Sequence, residues 1–324
     1  MAADGFTHIR EHEDPQRRLH AWRQNVGAPV ALDASGSQTG ATPSSLLVLS
    51  WNVWIGRGRL REVVSRIRNG DYRNQGADPD LPIVVLLQEA FRSDDTIPPV
   101  PTGAAGRILV AQTGPQEDVV EAARSLGLSL RYAPSMRNGA LPSDRGNAIL
   151  SSLQVDDAHA FELPLVLQRR VAVTAQVIIG GWKVRLVSAH LDPRGPPGPQ
   201  WFGATGRELQ ARYIVQRVQE PTIVLGADLN LGRGRYEPAW RILAENGFTF
   251  EVPASTPPWR HTFHALPRLV LDYVLVRNRE GAVRQARVRR LDEHPLDRGA
   301  RVFGSDHHPL LARIDLQPPT RETQ

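Results

Sequence analysis

Short apolar runs, each stopping at a polar residue, recur along the chain. Leu46-Leu47-Val48-Leu49 leads into Ser50-Trp51-Asn52, and Ile83 to Leu87 leads into Gln88-Glu89. Asn147-Ala148-Ile149-Leu150 and Val171 to Ile179 follow. Val184 to Ala189 leads into His190, and Thr222 to Leu225 into Gly226-Ala227-Asp228-Leu229-Asn230. Leu269 to Val276 carries Asp272 inside it, and Leu310 to Ile314 follows Ser305-Asp306-His307-His308-Pro309. The lengths and β-branched content of these runs predict strands. Helical patterns lie between them, at Leu60–Asn69, Glu117–Leu126, Glu208–Gln219 and Glu237–Glu245, with a further short candidate at Pro15–Gln24. Residues 1–45 read as a polar N-terminal extension, with Asp33 to Ser45 as linker and ordered structure starting at Leu46. One catalytic-type domain over 46–316 and a tail at 317–324 complete the expected organisation. Two breaker-rich loops, Asp71–Pro82 and Pro193–Gly206, interrupt the pattern.

Composition narrows this picture. The 324 residues, 41% of them hydrophobic, suffice for one large core. There is no cysteine, which excludes disulfides, thiolate metal sites and cysteine nucleophiles. No apolar run reaches 18 residues, and the charged start, Met1 to His20, lacks the apolar stretch of a secretory signal. The cytoplasm is therefore the default location, and a monomer the default state. The formal charge is +5, and Lys183 is the only lysine. Arginine suits bidentate phosphate recognition, although an arginine-rich codon bias explains the same excess.

The polar residues that end the runs are of one chemical kind. Asn52, Glu89, His190, Asp228 with Asn230, and Asp306 with His307 all serve metal or phosphate chemistry. A carboxylate at the end of a buried strand needs a partner or a cation. Oxygen donors from Glu89, Asp306 and Asn52, without thiolates, suit Mg²⁺ or Mn²⁺, while His190 and His307 leave zinc open. Phosphoester hydrolysis uses all of these parts: an oriented water, charge relief on the non-bridging oxygens and help for the leaving oxygen. Asp228 can orient or deprotonate the water, and Asn230, two residues on, can donate to phosphate. His307, its tautomer fixed by Asp272, can stabilise phosphoryl charge, as can His190.

In order along the chain, Ser50-Trp51-Asn52-Val53, Leu87-Gln88-Glu89, Arg145-Gly146-Asn147-Ala148-Ile149-Leu150-Ser151, Ser188-Ala189-His190-Leu191, Gly226 to Asn230, Leu271-Asp272-Tyr273-Val274 and Ser305 to Pro309 resemble the motifs of the endonuclease/exonuclease/phosphatase superfamily, the DNase I-like hydrolases. The resemblance spans about residues 46–316. It implies an α/β fold, a four-layer sandwich of two packed mixed sheets flanked by helices. It also implies a metal-dependent phosphoester hydrolase. Glu89 is then the main metal ligand with Asn52 and Asp306 beside it, and Asp228 positions the water. Asn230 and His190 hold phosphate, and Asp272 with His307 form an orienting dyad. Trp54 stands where abasic-site enzymes often carry an acid, and His190 is closer to the DNase I, sphingomyelinase, deadenylase and inositol-phosphatase branches. Nucleic acid is the favoured substrate, with a lipid or small phosphoester as the alternative and a catalytically silent binding module as the second.

Singly, each residue has an ordinary reading. Asn52 and Asn230 fit turn caps, Asp272 a salt bridge to Arg268 or Arg277, and Asp306 a turn. Arg145, Asn147 and Arg170 are candidate substrate-binding residues, with a solvated strand face the competing reading for Arg169 and Arg170. His8 and His12 read as a solvated tail. His261 and His264 read as loop residues with hydrogen-bonding roles, and His308 as outward-facing beside His307. Trp201 and Phe202 are candidates for touching a base or lipid. Arg57, Arg59, Arg233 and Arg235 follow motif strands and can line a groove.

Overall fold

A computed structural model of the chain describes residues 15–34, 43–102, 114–193, 204–251, 261–264, 268–292 and 301–318. Thirteen strands run in chain order among them: β1 (Val30–Leu32), β2 (Ser45–Asn52), β3 (Ile83–Ser93), β4 (Ser129–Arg137), β5 (Ser143–Ser151), β6 (Asp156–Glu162), β7 (Val171–Ile179), β8 (Trp182–His190), β9 (Thr222–Asp228), β10 (Phe248–Glu251), β11 (Asp272–Asn278), β12 (Val283–Arg290) and β13 (Leu310–Leu316). Five helices accompany them: α1 (Pro15–Arg23), α2 (Leu60–Arg68), α3 (Val119–Leu126), α4 (Ala204–Arg217) and α5 (Pro238–Glu245). The strands form two mixed sheets, ordered β1-β4-β5-β3-β2-β13-β12 and β10-β11-β9-β8-β7-β6.

The continuous apolar runs follow from burial on both faces. In β2, Leu46 and Val48 face the other sheet, and with Val84, Leu86 and Ile149 they pack on Val173, Leu186, Val224 and Val274. The alternate residues Leu47, Leu49 and Trp51 pack outward under α2 and α3. On the second sheet, Val187, Ile223, Leu225 and Leu275 carry α4 and α5 through Ala211, Ile214, Ile242 and Leu243. Helix, sheet, sheet, helix are the four expected layers. In α2 the buried residues Leu60, Val63, Val64 and Ile67 recur at the spacing of one helical face. Asp118 caps α3, accepting from Val120 N and Glu121 N, and Gly127 ends it at φ 63°.

Five strands depart from the sequence pattern. β1, β6, β10 and β12 are the sheet edges, where one side needs no partner and polar residues are tolerated or useful. β6 (Asp156–Glu162) is accordingly mostly exposed. β4 lies inside its sheet, but its Arg, Tyr and Ser residues hide the alternation. Ordered structure also begins upstream of Leu46. Trp22 of α1 is buried against Met136, and β1 pairs antiparallel with β4 from Val30↔Tyr132 to Leu32↔Leu130. The linker expected at Asp33 to Ser45 falls largely on residues 35–42, outside the described residues, and Ser45 already opens β2. Most of the Pro193–Gly206 loop, with Trp201 and Phe202, lies outside them too, as do His8 and His12. Among the described residues no helix is long and apolar enough to cross a membrane.

Two pairings position the site. β2 and β3 run parallel in the centre of one sheet, and β8 and β9 run parallel in the centre of the other. Their C-terminal ends lie together because the sheets stack closely: a Cβ on Gly226 of β9 would stand 2.6 Å from Ser50 Oγ of β2. β11 and β13 run antiparallel to β9 and β2, so their beginnings reach the same end.

Candidate active site

Asn52, His190 and Asp228 are the last residues of β2, β8 and β9. His190 is in register with Asp228, and Asp228 with Asp272. Asp272 is the first residue of β11 rather than an interior one: its N–H and that of Leu271 both donate to Thr262 Oγ1 at 2.9 Å, which ends the sheet ladder there. Asp306 and His307 sit in the turn that enters β13. Glu89 lies where β3 and β5 fall out of register, between Leu87 and Ala90, with φ at 52°. A bulge re-aims one side chain, and a left-handed backbone at a non-glycine residue persists only where surrounding structure imposes it.

Asp228 is the hub. It is 2% exposed. Its Oδ2 accepts from Asn52 Nδ2 at 2.9 Å and lies 3.2 Å from His190 Nε2, while Oδ1 accepts from the Asn230 N–H at 3.0 Å. The tautomer of His190 follows from its other nitrogen. Nδ1 is 3.0 Å from Arg170 Nη1, and a guanidinium can only donate, so the proton sits on Nε2 and points at Asp228. Burial, and then the charge of Arg170, push His190 well below its ordinary pKa, so the ring is neutral. Burial, and then the charge of Asp272, push Asp228 up to about 7. Such a carboxylate accepts a proton near neutral pH.

His307 faces Asp228 from the other side. Its Nδ1 is 2.7 Å from Asp272 Oδ2, and its backbone is held twice: its N–H donates to Ser305 Oγ at 3.0 Å and its carbonyl accepts from Trp51 Nε1 at 2.8 Å. Burial pulls the His307 pKa down, but Asp272, Asp228 and Asp306 outweigh it and raise it to about 10. The ring is an imidazolium at neutral pH. Its Nε2 lies 3.9 Å from Asp228 Oδ2, too far for a hydrogen bond, so both groups keep a side toward the same space. Asp228, Asp272 and His307 present ligand atoms within 4.8 Å of one another.

Glu89 and Asp306 behave differently. Asp306 Oδ1 is buried with no hydrogen-bond partner. Its pKa is raised to about 6, chiefly by burial; His307 works against the rise, and the charges of Glu89 and Asp272 add to it. Two carboxylates close enough to repel each other, one with an orphaned oxygen, have the chemistry of a cation-binding donor set. Oxygen donors of this kind fit Mg²⁺ or Mn²⁺. Asn52 contributes less directly, since its Oδ1 accepts from Trp54 N at 3.0 Å and its Nδ2 is spent on Asp228.

The three candidate substrate residues stand one layer behind. Arg170 is 3% exposed and donates from Nε to Asp192 Oδ1 at 3.1 Å as well as to His190. Asn147 donates to the main-chain carbonyls of Val171 and Ser188 and so ties the two sheets together. Arg145 is buried against Asn138 and Met136. Asn230, also in a left-handed conformation, spends its Nδ2 on Leu191 O at 3.0 Å. Three contributors escaped sequence reasoning. Asp192 anchors Arg170, and Thr262 ends β11. Arg301 lies 4.5 Å from the Trp54 ring, whose other neighbour is Arg57 at 4.7 Å. Asp192 follows His190 by two residues, which was a signal; Arg301 had none.

The sequence model of the Endonuclease/Exonuclease/phosphatase family matches residues 49–307. The structure is similar to the human Nocturnin catalytic domain with bound sulfate anion, at 15% identity over 89% of this chain and 98% of that one, with a TM-score of 0.53. An endonuclease/exonuclease/phosphatase family protein from Leptotrichia buccalis matches at 13% identity over 84% and 99%, TM-score 0.54. D. rerio TDP2 complexed with single strand DNA product matches at 18% over 84% and 99%, TM-score 0.51. At these identities the likeness is one of fold. No curated protein matches the chain in sequence.

Proposed function

The chain belongs to the endonuclease/exonuclease/phosphatase family, and from that membership we propose that it is a divalent-metal-dependent phosphodiesterase acting on nucleic acid. The observation that carries the reading is Asp228: a buried carboxylate with a pKa of about 7, fixed from three sides and facing an imidazolium across 3.9 Å. Asp228 takes the proton of the attacking water, oriented by its bonds to Asn52, His190 and Asn230. His307 then stabilises charge on the phosphoryl oxygens, held in place and kept protonated by Asp272. Glu89 and Asp306, with Asn52 beside them, would hold Mg²⁺, which supplies Lewis-acid relief of phosphoryl charge when bound. Arg170 and Asp192 keep His190 in the tautomer that donates to Asp228.

Nucleic acid is favoured by the cationic flank. Arg57 and Arg301 sit against Trp54, and Arg57 is close enough to Asp306 to feel its charge. Two guanidinium groups gathered on an aromatic ring suit the phosphates of a nucleic-acid backbone. The second reading, a lipid phosphoester, is favoured by Leu141, 60% exposed between β4 and β5, and Val100, 69% exposed, because that hairpin opens at the site's end of the sheet. Purified protein is to be assayed with Mg²⁺, Mn²⁺ or EDTA on single- and double-stranded DNA, RNA, bis-p-nitrophenyl phosphate, sphingomyelin and a phosphoinositide, beside Asp228→Ala. Metal-dependent cleavage of nucleic acid, lost in the variant, is expected. Turnover of lipid alone moves the assignment to the second reading. A folded, metal-bound protein inert on all of them overturns the nuclease reading and leaves an unusual small phosphoester or a catalytically silent binding module.

A further inference from the structure

Outside the active site the fold gathers three histidines from two distant parts of the sequence. His261 and His264 come from the segment 261–264, and His308 from the turn before β13. The sequence pattern suggests that His308 points outward, but it is 2% exposed, and His261 and His264 are buried beside it. His307 faces Asp228, and its neighbour His308 faces Asp292 on the other side. There His308 meets the other two rings: centroids stand 4.9 Å from His264 and 5.1 Å from His261. One ring nitrogen from each histidine lies within 4.8 Å of the others, and His264 Nδ1 is 2.9 Å from His308 Nε2.

We propose that His261, His264 and His308 form a second metal site, separate from the carboxylate centre, that takes a zinc-class divalent transition-metal ion through three imidazole nitrogens. Two features support it. First, the donor set is nitrogen only, which zinc prefers and Mg²⁺ does not. Three nitrogens on a tetrahedral ion, each about 2.0–2.1 Å from the metal, stand roughly 3.4 Å from one another. One pair is already closer than that, so modest ring rotations complete the set. Second, His308 has the outer carboxylate that metal-bound histidines usually have. Its Nδ1 is 2.8 Å from Asp292 Oδ1, so Nδ1 carries the proton and Nε2 presents its lone pair inward. Asp292 also holds Arg290 with both oxygens, at 3.0 Å each, which balances the nearest cation.

The position gives the ion a purpose. His264 N–H donates to Asp306 O at 2.7 Å, and His308 N–H donates to Thr262 O at 2.8 Å. Phe263 bridges to His307 between them. Zinc held by all three rings therefore pins the turn carrying Asp306 and His307 to the segment whose Thr262 ends β11. The site does not depend on the hydrolase reading, because zinc binding can be measured on a protein that cleaves nothing.

The test is zinc titration of the metal-stripped full chain in excess Mg²⁺, which occupies the oxygen-donor centre. It is run on the parent, His261→Gln, His264→Gln and Asp292→Asn, with cobalt(II) absorption as a second readout. Expected are one tight zinc ion per chain that Mg²⁺ does not displace, a tetrahedral cobalt spectrum and a raised melting temperature. Each histidine variant should lose the ion, and Asp292→Asn should weaken it by about ten- to a hundredfold. Asp292 is half exposed, so this last variant keeps the test alive if the buried substitutions fail to fold. Zinc that Mg²⁺ displaces, or that these variants bind as the parent does, overturns the proposal, as does no binding at all.

Discussion

Asp144 and Asp306 are both carboxylates taken largely out of water, and the fold provides for them differently. Asp144, fully buried, accepts from Arg92 Nε at 3.1 Å and Arg92 Nη2, from Tyr132 OH at 2.7 Å, and from the Gly27 N–H at 2.9 Å. Asp306 has an oxygen with no partner and a pKa lifted to about 6. Across the site, Asp272 Oδ1 is also buried without a partner, and Asp228 sits near 7. A buried ion pair with every lone pair used holds the fold. Buried carboxylates left short of donors cost the fold free energy and are kept where chemistry needs them. Burial alone does not tell the two apart; the count of donors does.

The sharpest way to separate them is to neutralise one of each. Asp228→Asn should lower turnover about a thousandfold, with stability in urea unchanged or higher, since a costly buried charge is gone. Asp144→Ala should do the reverse, costing about 3–5 kcal/mol by stranding the Arg92 guanidinium, with turnover per folded molecule little changed. If Asp144→Ala unfolds at the parental urea midpoint, the contrast fails. Third, Mg²⁺ at a hundred times its Kd should stabilise the parent by about 2.7 kcal/mol in thermal unfolding. EDTA should reverse this, and Glu89→Gln should abolish it.

A fourth prediction concerns pH in the metal-free protein. The folded-state pKa of Asp306 is raised from 3.8 to about 6, so its ionised form is disfavoured by folding. The penalty is complete above about pH 6, shrinks as pH falls through 6, and is absent below 3.8. The parent in EDTA should gain stability from this group on going from pH 7 toward 4, and Asp306→Asn should remove that gain. An unaltered profile in the variant places the titration elsewhere. The smallest effect is expected for Tyr132→Phe, which removes one of the bonds to Asp144: about 1 kcal/mol, with turnover untouched.

The contrast also marks where the sequence was readable. The central strands β2, β3, β8, β9 and β13 are buried on both faces and announce themselves as apolar runs. The residues that end β2, β8 and β9 are therefore placed without a structure. The polar edge strands β6 and β12 give no such signal, because an edge has one neighbour and half its surface in solvent. Pairing across the sandwich is equally silent in sequence. Nothing in the Asp-His-His run says that His307 turns toward Asp272 while His308 turns toward Asp292. Arg170 reads as a substrate residue in sequence because an arginine beside a phosphate and one bracing a histidine look alike until Asp192 is seen behind it.

The chain passes from the first sheet to the second between β5 and β6 and returns between β11 and β12. Asn52, Glu89 and the turn of Asp306 and His307 therefore belong to one sheet, and His190, Asp228 and Asp272 to the other. Under the proposed function the site works as a logical AND: neither sheet carries all of the proposed groups. A newly made chain with one sheet formed then has no means of hydrolysing a phosphoester, and turnover reports docking of the sheets rather than their formation. In refolding, catalytic activity should return after the far-ultraviolet signal of the strands, and never ahead of it.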